Sequence, residues 1–514
     1  MATVRSTSLP DGGNAQPGNG EHDDLKLPDH GRSGQQARTA QQDPTTQAPE
    51  HYDLIVVGAG AAGIAAARTA RRSDARVLMV TRGRPGQSSQ WSGTVPTKAL
   101  IAAARTAQLM RTADRFGITP VEPDINFGHL TEAIRDRITT AAPDESVGSL
   151  REQGIDLVFG TARFGGEATL TVDDVPYAFS RAVIATGSAP AMPPIPGLAD
   201  SAPMTPESLW DLRFLPERLT LIGGGPTGCE LGQAFARLGS QVMIIEQQDR
   251  LLPREEPEVS RLIASRLTDE GVQIVTGTTV QRVTSYRKHC RLTVGQADRS
   301  DAREIEAGMI LVAAGRRPAT VGLDLARAGV FPNANGYIDT DDRLRTSNRR
   351  IFAAGDVLGG RPLASLAGLD GEIAGNNATS SRARTAHHEL GPQVVFTDPE
   401  VGRIGHTEAS ARAVLGDWLR IRTSNRRVDR AIAENEPAGL TKIISNGHGR
   451  MVGATVVSPR AGEVITELAT VLQHGGRIRE LADVPHAYPT WSDEIYNAAQ
   501  AEQSERQQTL LSRR

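Results

Sequence analysis

The chain has 514 residues, enough for two to four domains with separate cores. Its 57 basic and 60 acidic residues leave a formal net charge of −3, which gives no electrostatic reason to expect nucleic acid or an anionic membrane as partner. No apolar run approaches the roughly 20 residues that cross a bilayer, no apolar leader opens the chain, and the two cysteines, Cys229 and Cys290, stand outside any C-x-x-C or metal-ligand spacing. The expectation is a soluble cytoplasmic protein with two structural thiols, no disulfide framework and no metal site.

In chain order, residues 1–49 are rich in Gly, Pro, Gln, Ser, Thr and Asp and are expected to be disordered, since they carry too little apolar surface to offset the entropy of ordering. At Tyr52 the texture changes. "YDLIVVGAGAAGIAAARTARRSDARVLMV" reads as strand, glycine turn, Ala-rich helix and second strand. Gly58, Gly60 and Gly63 form G-x-G-x-x-G at that turn: one glycine for the bend, one for close approach of a pyrophosphate, one for packing of helix on strand. The second strand ends in Thr81, where such a unit ordinarily has an acidic residue for the ribose hydroxyls. A neutral hydroxyl binds a ribose more weakly than a carboxylate does, so reduced affinity is expected at this first site.

Residues 218–246, "RLTLIGGGPTGCELGQAFARLGSQVMIIE", repeat the arrangement with Gly223, Gly225 and Gly228, and this strand does end in an acid, Glu246. A carboxylate there binds both ribose hydroxyls and repels a 2′-phosphate, which favours NAD(H), while Arg250 four residues on keeps NADP(H) possible. Two such units imply two dinucleotides. Short apolar strands ending in small residues follow, in 182–190, 309–318 and 350–360. From about residue 386 the pattern changes to strand-like "QVVFTDPEVGRIG" and "GLTKIISNGHGRMVGATVV" and then helical "AGEVITELATVLQHGG", a separate α+β module.

The ordered set of first glycine motif, G-T-V-P-T-K, A-T-G, second glycine motif, A-A-G-R-R-P, A-A-G-D, F-T-D-P-E and Y-P-T-W-S-D resembles the pyridine nucleotide–disulfide oxidoreductases over residues 52 to about 505. The resemblance implies an α/β fold with two Rossmann-like domains, for FAD and NAD(P), and a C-terminal α+β dimerisation domain that builds a homodimer. It divides the chain into an FAD-binding domain at 50–204 and 321–385, an NAD(P)-binding domain at 205–320 and an interface domain at 386–514. Carried over residue by residue, Asp356 is the aspartate on the ribityl chain of FAD, Thr186 and Gly187 lie where the backbone passes the flavin nucleotide, and Ala162 is the small residue near its adenine. The helix starting near Leu363 points at the flavin pyrimidine, and Val280 and Gly315 are backbone contacts of the nicotinamide dinucleotide. Lys98 is the lysine beside flavin N5, and Glu230 is the glutamate paired with it.

The thiol half of the family pattern is altered. Ser89 and Thr94 stand at the dithiol positions and cannot cycle between dithiol and disulfide. The family's His-Pro-Thr and its following glutamate read Tyr488, Pro489, Thr490 and Asp493, and a phenol with an ordinary pKa near 10 is a poor base at neutral pH. His486 is a further candidate base, more readily a structural residue. The chain ends "LLSRR" without thiols, so mercury reduction is not expected. The expected activity is transfer of hydride or electrons from reduced FAD directly to a non-disulfide acceptor: a second pyridine nucleotide, a quinone or an unsaturated pathway intermediate. Trp91 would suit a conjugated acceptor. The alternative is a catalytically degenerate flavoprotein acting as a binding or regulatory dimer.

Overall fold

The computed structural model describes residues 48–86, 93–141, 143–287, 289–296, 302–387, 391–424, 428–436 and 439–511. Nearly all of the N-terminal segment expected to be disordered lies outside these, as do Ser89 and Trp91.

The first sheet grows from β1 (Glu50–Val57), whose buried run Leu54, Ile55, Val56, Val57 is covered on both faces, as a central parallel strand requires. Helix α1 (Ala61–Arg71) and β2 (Val77–Thr81) complete the unit, and β2 pairs parallel with β1. After α2 (Thr94–Arg111), α3 (Phe127–Ala141) and α4 (Val147–Glu152), β3 (Ile155–Phe159) joins the far side of β2. A meander of β4 (Ala162–Gly166), β5 (Thr169–Val172) and β6 (Val175–Ile184) then returns the chain to the sheet. Strand β6 serves both parts: its first residues pair antiparallel with β5, while from Tyr177 onward it pairs parallel with β1.

A short β7 (Ser188–Pro190) leads to the second sheet, where β8 (Arg218–Ile222), α5 (Pro226–Leu238), β9 (Gln241–Ile245), α6 (Pro257–Asp269) and β10 (Gln273–Val275) repeat the parallel winding. The antiparallel trio β11 (Thr279–Ser285), β12 (Cys290–Gly295) and β13 (Arg303–Ala307) intervenes before β14 (Met309–Val312) pairs with β8. Strand β15 (Arg316–Pro318) pairs back onto β7, and β16 (Ile351–Ala353) re-enters the first sheet beside β6. The chain crosses into the second unit and back through that two-stranded ribbon.

Helix α7 (Ala364–Thr379) packs against α1 at backbone distance. A methyl group added at Gly371 would lie 2.1 Å from the Ala62 carbonyl oxygen, and one at Gly375 would lie 2.4 Å from that of Ala66. The third sheet is wholly antiparallel, in the order β17 (Gln393–Val395), β18 (Glu400–Gly405), β21 (Met451–Ser458), β20 (Leu440–Asn446), β19 (Leu419–Ser424). Its helices are α8 (Glu408–Leu415), α9 (Asp429–Ala433), α10 (Ala461–Gln473) and α11 (Asp493–Leu511).

Buried ion pairs fasten this third sheet to the second unit. Arg403 on β18 forks onto Glu255, each side chain 7% exposed. Lys442 on β20, 3% exposed, meets Glu256 at 3.2 Å, Glu258 at 2.9 Å and Glu408 at 2.8 Å. Arg237 on α5 bonds both Glu270 and Asp398. No described helix is long and apolar enough to cross a membrane, and no group of three or more His, Cys, Asp or Glu among the described residues is placed to hold a metal ion.

Candidate functional site

The two glycine motifs fold into the same object. Gly58 and Gly223 have φ of 111° and 113°, where a side chain is strained. A methyl group added at Gly58 would sit 2.2 Å from the Ala185 carbonyl oxygen, and one at Gly223 would sit 2.5 Å from that of Ala313. Gly63 and Gly228 press their helices onto the turns, with 1.9 Å and 2.0 Å from an added methyl to the carbonyl oxygens of Gly58 and Gly223. Gly60 and Gly225 occupy the N-cap positions, where no side chain takes up the first helical N–H groups. Those donors are free to face an anion, and the helix dipole favours one.

The ends of β2 and β9 differ. The Thr81 hydroxyl donates to the Gly83 carbonyl at 2.9 Å and accepts from the Gly83 amide at 3.3 Å, so it is engaged with its own loop. Glu246 is buried, and its two oxygens accept the amides of Gly224 at 2.6 Å and Gln248 at 2.8 Å. The carboxylate is therefore oriented by the glycine turn itself. Each oxygen keeps a second lone pair for a ribose hydroxyl. Arg250 donates to the Pro253 carbonyl at 3.0 Å, while its Nε is buried without a partner among the described residues.

Around the first turn, Thr186 has a buried hydroxyl with no partner among the described residues, directly beside Gly187 at φ 69°. Ala162 opens β4 and is buried. Asp356 sits in the 3-10 turn Gly355–Leu358, where its Oδ2 accepts the Ser188 hydroxyl at 2.7 Å. Arg316 holds that serine through Nε and Nη2, both at 2.6 Å, and stands 3.7 Å from Asp356. Ser188 and Arg316 escaped sequence reasoning as supports of Asp356, although both lie in motifs that it found. Helix α7 begins after Leu363, its N-terminus without a side-chain cap. Gly315 has φ 102° and open space where a side chain would be, and Val280 is buried on β11.

Lys98 and Glu230, 132 residues apart, meet at 2.9 Å. Lys98 lies in the first turns of α2 and Glu230 in the second turn of α5, so the pair spans the two units. Glu230 is 7% exposed and Lys98 32%. Thr94 opens α2 and is exposed. Cys229 precedes Glu230 but points into the core: it is fully buried, its thiol donates to the Gly224 carbonyl at 3.4 Å, and burial pushes its pKa well up. Cys290 is buried in a separate cluster with Leu292 and Val294.

At the C-terminus, Tyr488 is 73% exposed and its hydroxyl bonds Asp429, whose carboxylate raises the phenol pKa further. Asp493 caps its own turn by accepting the Thr490 amide at 3.0 Å. His486 has both ring nitrogens engaged, with the Val484 carbonyl and with Glu467, each at 2.8 Å, and its ring packs 5.0 Å from that of Tyr496. That arrangement leaves no ring nitrogen open to accept a substrate proton.

Residues 52–371 match the family described as pyridine nucleotide-disulphide oxidoreductase, and residues 391–499 match its dimerisation domain. The chain belongs to the pyridine nucleotide-disulphide oxidoreductase family. It is similar to a mercuric reductase of Streptomyces lividans, 36% identical over 469 residues, covering 88% of this chain and 97% of that one. A Staphylococcus aureus mercuric reductase is 33% identical over 87% of this chain and 82% of its own length, and a Thermus scotoductus dihydrolipoyl dehydrogenase is 33% identical over 88% and 97%. Among solved structures, the HOCl-induced flavoprotein disulfide reductase RclA from Escherichia coli superposes with a TM-score of 0.76 at 26% identity, covering 87% of this chain and 99% of that one. The protein is thus an FAD-dependent oxidoreductase of a family that works with pyridine nucleotides, and it carries that family's dimerisation domain. The helix N-terminus after Gly60, without a side-chain cap, and the Thr186 hydroxyl, unpartnered among the described residues, fit a flavin dinucleotide in the first unit.

Proposed function

We propose that this protein takes electrons from NADH through FAD and delivers them directly to a non-disulfide acceptor: a second pyridine nucleotide, a quinone or an unsaturated small molecule. The observation that carries this reading is the closed Lys98–Glu230 pair in a chain whose two thiols are both buried in packed cores. Ser89 and Thr94 at the dithiol positions, and Tyr488 in place of an imidazole, support the same reading. FAD, when bound, supplies a ring that accepts and returns hydride. In this proposal the Gly58–Gly63 turn, Thr81, Ala162, Thr186, Gly187 and Asp356 hold it. The Gly223–Gly228 turn, Glu246, Val280 and Gly315 hold the nicotinamide nucleotide. Lys98 places a positive charge where the reacting ring gains electron density, and Glu230 fixes that charge in direction. Tyr488 and Asp493 belong to the acceptor side, and the exposure of Tyr488 suits a side chain that completes the site of a partner subunit in a homodimer. The boundaries 50–204 with 321–385, 205–320 and 386–514 and a cytoplasmic location belong to the same proposal.

The deciding experiment is anaerobic reduction of the flavin-loaded protein by NADH, followed by reoxidation with a panel of pyridine nucleotides, quinones, enones, lipoamide, glutathione disulfide and mercuric ion. Reoxidation by a non-thiol acceptor is expected. Efficient turnover of a disulfide or of mercuric ion would overturn the proposal. One observation favours the degenerate-dimer alternative, namely the Thr81 hydroxyl engaged with its own loop. Flavin-loaded protein that NADH does not reduce would favour that alternative.

Two further results are expected. Thr81→Glu will tighten FAD binding, read by fluorescence titration, because a charge-assisted ribose contact is worth about 1.5–3 kcal/mol. NADH will reduce the flavin faster than NADPH in stopped-flow measurements, because the inward-held Glu246 carboxylate faces the position of a 2′-phosphate. A preference for NADPH would assign that role to Arg250.

A further inference from the structure

The F-T-D-P-E run has no chemical part in the proposal so far, yet it touches the reacting pair directly. Phe396 follows β17. Its backbone N–H donates to Oε1 of Glu230 at 2.9 Å, while Lys98 donates to Oε2 of the same carboxylate at 2.9 Å. The Phe396 ring lies beneath the Lys98 ammonium, with Nζ 4.1 Å from the ring centroid. One residue thus engages both members of the pair. Its amide occupies the glutamate oxygen that the lysine leaves, and its ring face gives the ammonium a second partner.

The segment is fixed in register along α5. Asp398 donates its amide to Gln233 at 2.7 Å and accepts from Gln233 Nε2 at 2.9 Å through its carbonyl. Its carboxylate accepts from Arg237 at 2.9 Å. Glu230, Gln233 and Arg237 are spaced i, i+3, i+7 and share one face of that helix. The third sheet therefore grips the face of α5 that presents Glu230. Lysine needs such a constraint more than arginine would, because its charge rides on a flexible four-carbon stem, and here it is 32% exposed.

We propose that Phe396 is a positioning residue for hydride transfer. Its ring holds the Lys98 charge at the angle that serves the reaction, and the C-terminal module thereby contributes to the reductive site within its own chain. This rests on the reading of Lys98–Glu230 as the pair beside the reacting ring.

The test is the anaerobic rate of flavin reduction by NADH in the FAD-loaded protein, for Phe396→Leu, Phe396→Tyr, Lys98→Ala and the double variant Phe396→Leu/Lys98→Ala. Phe396→Leu keeps the backbone donor and removes the π face. It should slow reduction about 5- to 30-fold, the rate equivalent of a partly desolvated cation–π contact. Phe396→Tyr keeps the face and should restore the rate. In the Lys98→Ala background the leucine substitution should change the rate less than about twofold, since the ring then has no cation to hold. Phe396→Met, close in volume but without a π face, serves if the leucine variant does not fold. The proposal is overturned if Lys98→Ala is slow while Phe396→Leu and Phe396→Met match the parent. It is equally overturned if the tyrosine variant is as slow as the leucine one, or if the leucine effect persists undiminished without Lys98. A normal rate for Lys98→Ala would instead overturn the reading of the pair itself.

Discussion

Lys98→Ala and Glu230→Ala are each expected to slow reduction of the bound flavin by NADH by roughly 10²–10³-fold, the usual cost of removing positioned electrostatics from a reacting centre. The two variants act through different losses. Without Lys98 the positive charge that the proposal sets beside the ring is gone, and Glu230, 7% exposed, keeps the Phe396 amide as its side-chain partner among the described residues. Without Glu230 the charge remains, but nothing ties the lysine stem to α5, and the Phe396 amide loses its acceptor. Glu230→Gln should fall between, because an amide oxygen still accepts one of the two bonds. Ser89→Ala and Thr94→Ala should leave the rate near that of the parent, since neither carries redox chemistry. Tyr488→Phe should alter only reoxidation by the acceptor. Rates for the alanine variants within about threefold of the parent would remove the pair from the reaction, since a factor that small lies far below the expected electrostatic loss.

Lys442→Met should destabilise the protein by about 3–5 kcal/mol, because it strands a buried carboxylate. Glu256 is 2% exposed and would lose its cation, retaining among the described residues the Glu408 amide at 2.7 Å on its other oxygen. The loss should depend on pH. Hydrogen bonding to Lys442 lowers the pKa of Glu408; for Glu258 burial is the largest single influence and works upward, but the Lys442 hydrogen bond, a backbone hydrogen bond and the Lys442 and Arg261 charges together outweigh it, and the pKa is again lowered. Carboxylates with depressed values stabilise the fold above their unfolded pKa, and that contribution is lost as pH falls through the folded value. The gap in denaturant midpoint between parent and variant should therefore be widest at neutral pH and narrow as the medium is acidified below the ordinary glutamate range. A gap that stays constant with pH would mean that Lys442 acts by packing alone.

How much of this was legible from the sequence depends on what each residue is constrained by. The glycines of both turns were readable because the backbone itself forbids a side chain there, so the spacing carries the geometry. Lys98 and Glu230 were readable because each closes a recognisable motif, and the structure brings them to 2.9 Å. Phe396 was not, since its ring meets Lys98 and its amide meets Glu230, 166 residues away, only once the third sheet lies against α5. Position 81 in the sequence implies a weak ribose contact, but the turn of the Thr81 hydroxyl onto Gly83 depends on the path of the loop. The Lys442 cluster was equally hidden, because the charges that compensate Lys442 come from two stretches of chain far apart in sequence, Glu256 with Glu258 and Glu408.

The contact between α1 and α7 bears on where damaging substitutions will be found. In the proposed holoprotein these helices address two parts of one cofactor, its pyrophosphate and its flavin pyrimidine, yet what keeps their spacing is Ala62 and Ala66 against Gly371 and Gly375, none of them polar. Random mutagenesis screened for loss of yellow colour should therefore return changes at Gly371 and Gly375 alongside changes at Gly58 and Asp356. A single methyl at either position has no space to occupy, so it must push apart two anchors that were set for a ligand of fixed length.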